Sequence, residues 1–102
     1  MGLCIELRTE SGEQLGFVVD EKNLLGQLLG SPDPRTFPML SSIDHYGDTV
    51  FNRIQMSRFL DEWRTLSRSA KTPAEEDLLQ SVGAMAEKAA QAVHLYLVFV
   101  GD

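Results

Sequence analysis

The six residues Leu95-Tyr96-Leu97-Val98-Phe99-Val100 form an unbroken apolar run with no charge in it. A run this short is strand length, and side chains that are apolar in both directions ask for cover on both faces. A chain ending this way is expected to place its last strand centrally in a sheet. Helices would cover one face, and either more chain or a partner the other.

The rest of the chain supplies the elements for such a sheet. Leu3, Ile5 and Leu7 alternate with Cys4, Glu6 and Arg8, and Leu15, Phe17 and Val19 alternate again beyond the turn residues Ser11-Gly12-Glu13. This period of two predicts an antiparallel hairpin with one apolar face in the core. From Asp20 the spacing becomes helical. Leu24, Leu25, Leu28 and Leu29 predict a short helix, with Asp20 to cap its start and Gly30 to close its end. Residues 37–43 are expected to form a third strand, held to an edge by Pro38, and residues 44–48 a turn in which Gly47 is free to take positive φ.

Two further helices carry explicit start signals. Asn52 and Gln55 are spaced as a capping box, with Phe51 and Met56 placed as a hydrophobic staple, ahead of the stripe Met56, Phe59, Leu60, Trp63 and Leu66. Thr72-Pro73-Ala74-Glu75 is a second capping box with proline at the first helical position. Its helix is expected to bury Leu78, Leu79, Val82, Met85, Ala86, Ala89 and Val93. The order β-β-α-(β)-α-α-β predicts an α+β domain spanning 1–102. Its sheet would be small, mostly antiparallel and three- or four-stranded, with three helices packed on one face. Tyr96, Val98 and Val100, or their alternates, would then point outward. That apolar face favours a partner, for which a homodimer is one candidate.

Composition narrows the function classes. Fifteen acids against nine bases give −6, which argues against generic affinity for nucleic acid or for an anionic membrane. Residues 1–48 carry −5 and residues 72–102 carry −4, while residues 53–71 carry +3 through Arg53, Arg58, Arg64, Arg68 and Lys71. A solvated helix face with internal ion pairs accounts for such a belt, as does an anion-binding surface. Arg58 and Glu62 are spaced to pair, and Arg64 and Arg68 share a face with no partner evident. The single cysteine, Cys4, excludes an intramolecular disulfide and reads as a packed strand residue. With no run long enough to cross a bilayer and no basic, apolar leader at residues 1–6, the expected location is cytoplasmic.

Residues that could carry chemistry are few. Asp44-His45-Tyr46-Gly47-Asp48 gathers two carboxylates and an imidazole at a turn, enough to bind a partner, hold a metal or exchange a proton. The plain alternative is that Asp44 and Asp48 cap turns, Tyr46 packs and His45 is exposed. His94 is placed to cap a helix end. No phosphate loop, nucleophile elbow, zinc motif or helix-turn-helix is present, so no cofactor is called for and no catalytic residue is assigned.

The segment 43–53, containing Tyr46-Gly47-Asp48-Thr49-Val50-Phe51-Asn52, and the ending His94 to Asp102 resemble a group of small bacterial proteins of unknown function. The resemblance implies a bacterial, intracellular, single-domain protein and supplies no activity. The first functional expectation is therefore a small acidic protein-binding domain, an inhibitor of the immunity or antitoxin type directed at a basic toxin or nuclease. Its interaction residues would be Asp44, His45, Tyr46, Asp48, Arg64 and Arg68. The alternatives are a metal-dependent enzyme built on the 44–48 turn, with His94 as a further ligand, and a homodimeric structural subunit.

Overall fold

A computed structural model describes residues 2–101. The elements run β1 (Cys4–Thr9), β2 (Gln14–Val19), α1 (Leu24–Leu29), a 3-10 turn (Leu40–Ser42), β3 (Asp48–Phe51), α2 (Arg53–Ser67), α3 (Pro73–Gln91) and β4 (Leu95–Val100). The four strands form one antiparallel sheet in the order β2-β1-β4-β3, and the three helices lie on one of its faces. The α+β class and the central position of the last strand are as the apolar run requires.

Both capping boxes form. The Asn52 side chain accepts from Gln55 N at 3.0 Å while Gln55 Oε1 accepts from Asn52 N at 2.8 Å. Thr72 and Glu75 repeat the exchange at the start of α3. At α1 the cap comes from further back. Asn23 sits in the left-handed region at the helix start, and the Asp20 carboxylate accepts from the Leu24 and Leu25 amides, both at 2.8 Å. Each contact satisfies a donor that the first turn leaves without a helical partner.

The core lies between the helices and the inner face of the sheet. Ile5, Leu7, Leu97, Phe99 and Phe51 project from the strands onto Met56, Phe59, Trp63, Val82 and Ala86 of the helices. Trp63 stacks on Phe59 with centroids 5.3 Å apart and donates its indole N–H to the Leu79 carbonyl at 2.8 Å, which makes it a core residue with its polar atom met.

Four local expectations change. Residues 37–43 form turns and the 3-10 segment, and the third strand is Asp48–Phe51 instead. The Glu62 carboxylate, buried within α2, reaches back to accept from Met39 N and Leu40 N at 3.0 to 3.1 Å and fixes this stretch as a helical turn. Val93 is exposed, because the backbone turns extended at Ala92 and α3 ends before it. Gly47 does not take positive φ; its constraint is space, since a Cβ there would meet the Asp44 carboxylate at 2.8 Å.

The fourth change concerns the hairpin. Leu15, Phe17 and Val19 do not share the core face with Leu3, Ile5 and Leu7. The pairing runs Leu7 to Gly16 and Arg8 to Gln14, leaving Leu15 as an extra residue in a bulge. One extra residue in a pattern of period two exchanges the faces. Phe17 therefore pairs with Glu6 and Val19 with Cys4, on the side away from the helices. The inner face of β2 is left with Val18 and Gly16, the latter against the Met85 side chain.

Candidate interaction face

The outer face of the sheet is assembled by register. Across β2-β1-β4-β3, one row runs Val19, Cys4, Val100, Asp48 and the next runs Phe17, Glu6, Val98, Val50. A third brings Gln14 beside Arg8 and Tyr96. No helix covers these rows. Phe17 is 60% exposed, and Val19 and Val50 are about half exposed, whereas Val98 at the centre is 2% exposed beneath its neighbours. The expectation that Tyr96, Val98 and Val100 face away from the helices holds. The aromatic ring and the valine added by β2 came from the bulge.

At the middle of this face lies an ion pair. Arg8 Nε donates to Glu6 Oε1 at 2.7 Å, with side chains 32% and 14% exposed. That bond, helped by the Gln14 amide and opposed by burial, holds the Glu6 carboxyl below the usual range. The same bond raises the Arg8 guanidinium, and the Asp48 carboxylate acts on it in the same sense. The Cys4 thiol, 3.9 Å from Glu6 Oε2, is pushed up chiefly by burial and then by the Glu6 charge. One carboxylate, Glu6, is thus bonded to the guanidinium, and Asp48 lies further off at the edge of the same face.

The residues singled out from sequence divide between two sides of the molecule. Asp44, His45 and Tyr46 occupy an exposed turn that leads into β3, where Asp44 Oδ1 accepts from Tyr46 N at 2.8 Å. Tyr46 does not pack; it is 85% exposed. Asp48 opens β3 on the outer face. Arg64 and Arg68 belong to α2, in the helical layer on the other side of the sheet. Arg58 pairs with Glu62 as its spacing predicts, and Arg64 finds an intrahelical partner after all in Asp61, at 3.2 Å.

The turn packs on the chain's last described residue. Gly101 N donates to Gly47 O at 2.8 Å, and a Cβ on Gly101 would come within 2.5 Å of the His45 carbonyl carbon. The two segments that carried the resemblance are therefore in contact, for a packing reason. His94 does not cap α3. Its Nδ1 lies 3.1 Å from Glu10 Oε2, an exposed contact that ties the start of β4 to the β1–β2 turn.

This placement separates His94 from Asp48, which pairs with Val100 at the other end of β4, about 20 Å away along the strand. Among the described residues no three His, Cys, Asp or Glu side chains gather as metal ligands would. A cleft of about 340 Å³ between the end of β2 and the first half of α3 is lined by Asp20, Lys22 and Asp77, and the 44–48 turn contributes nothing to it. Among the described residues no helix is long and apolar enough to cross a membrane. No family model, curated protein or solved structure matches this chain.

Proposed function

We propose that this chain is a protein-binding domain, an inhibitor of the immunity or antitoxin type, and that it engages its partner through the outer face of the sheet. The observation that carries the reading is the bulge at Leu15, which turns Phe17 and Val19 away from the core of a small domain that has every use for apolar residues inside. Bulges re-aim side chains, and apolar side chains gathered on an uncovered face mark an interaction surface. The face holds an aromatic at its edge and a hydrogen-bonded charge pair at its centre, the mixture found in protein interfaces.

Affinity capture from the protein's native cells at low salt tests this with three tagged forms. The unaltered chain is expected to retain a stoichiometric protein partner, Phe17→Asp to lose it, and Arg68→Glu, on the helical side, to keep it. Equal retention by the unaltered chain and by Phe17→Asp, or no retention by either, would overturn the proposal.

A further inference from the structure

Resting on that reading, we infer that the occupant of the outer face is a basic protein surface, which brings a lysine or arginine to the carboxylates of Glu6 and Asp48 with apolar side chains around it. The argument is one of charge placement. The outer face holds Glu6, Asp48 and Arg8, and Asp48 makes no ion pair among the described residues. The β1–β2 hairpin end, at the opposite end of the sheet from Asp48, adds Glu10 and Glu13, and His94 meets Glu10 there. The five bases at 53–71 all lie on or just beyond α2, in the helical layer. The uncovered face holds one more carboxylate than guanidinium, and three more when the hairpin end is counted. The bases of 53–71 stand behind the sheet, beside the carboxylates of α2 and α3.

The same placement argues against a second copy on this face. A two-fold pairing sets a surface against itself, so the carboxylate excess of one copy would meet that of the other, in chains that each carry −6. A basic partner reverses the sign of that term. Arg8 already holds Glu6 Oε1, so an arriving cation would share that carboxylate through Oε2 and bond the unpaired Asp48 directly.

The test is to pan a display library of random twelve-residue peptides against the full-length chain at low salt, then to measure affinities of the enriched peptides. Enriched sequences are expected to combine arginine or lysine with aromatic or aliphatic residues. Their binding should weaken tenfold or more in the Glu6→Gln, Asp48→Asn double variant, and be lost in Phe17→Asp. The double variant is isosteric but also breaks the Arg8–Glu6 pair, so Asp48→Asn alone, which touches no ion pair among the described residues, is measured beside it and should weaken binding in the same direction. Enriched peptides that are neutral or acidic, yet still lost in Phe17→Asp, would overturn the basic partner while leaving the docking face standing. Peptides indifferent to Phe17→Asp would overturn both. A dimer mass by light scattering that reverts to monomer in Phe17→Asp would assign the face to a second copy instead.

Discussion

Glu6 and Phe17 stand directly opposite each other across the β1–β2 pair, on the face of the sheet that no helix covers. Neither residue is where its own strand pattern alone would put it beside the other. The Leu15 bulge changes the phase between the strands, and a carboxylate and a benzyl group become neighbours in the centre and at the rim of one surface. The consequences can be measured.

Phe17 and Phe59 should respond to truncation in opposite ways. Phe17→Ser removes a side chain that is mostly in water and is expected to shift unfolding free energy by no more than about 0.5 kcal/mol. Phe59→Ala opens a cavity beneath Phe51, Trp63 and Phe99 and is expected to cost about 3 to 5 kcal/mol. Urea unfolding of the two variants distinguishes them. A large loss for Phe17→Ser would mean that the ring supports the fold.

The two capping boxes are expected to contribute independently. Asn52→Ala and Thr72→Ala should each cost about 1 kcal/mol, because each leaves a first-turn amide without its acceptor. The sites are a helix length apart, so the double variant should lose the sum within about 0.5 kcal/mol. Denaturant midpoints of the four proteins check this.

Glu62 is expected to be worth more to the 37–42 segment than to α2 itself. Glu62→Leu would strand the Met39 and Leu40 amides and the Arg58 guanidinium, at a cost of about 1 to 3 kcal/mol. Glu62→Gln, which keeps one acceptor oxygen, should cost less. Amide hydrogen exchange should show the protection of Leu40 falling sharply in the leucine variant, with α3 little changed.

Acid should weaken the α3 cap in a definite window. Glu75 is held below its ordinary pKa mainly by the Lys71 amide, with the Thr72 amide helping. A folded value lower than the unfolded one means that the contribution is fully present above the unfolded pKa of about 4.3 and is lost as pH falls through the folded value. The Glu75→Gln variant should therefore show a shallower fall of the urea midpoint below pH 4.3 than the unaltered chain. Parallel curves would refute the linkage.

Much of this architecture was legible because it is written locally. A capping box needs only residues three apart, so Asn52 with Gln55 and Thr72 with Glu75 announce their helices without help from the fold. The apolar run of β4 likewise declares a central strand. What stayed hidden depends on distant partners. Residues 37–43 read as a strand until Glu62, more than 20 residues later, caps them as a turn. Asp48–Phe51 is four residues long and is masked by the cap that follows it. Most consequential was the bulge. The alternation of Leu15, Phe17 and Val19 is an accurate strand signal, but which face it lines is set by one unpaired residue at a hairpin register. The candidate turn at 44–48 was visible as a cluster of functional groups, and only its packing on Gly101 gives it a plain structural role beside any contact it makes.

The most direct measurement is the amide chemical-shift map of the ¹⁵N-labelled chain, titrated with a basic peptide taken from the panning at low salt. The perturbed amides are expected to cluster on Cys4–Arg8, Phe17 to Val19 and Tyr96 to Val100, and added salt to reverse the change. Perturbations concentrated instead on the exposed sides of α2 and α3, with the outer sheet face silent, would contradict a basic partner on that face.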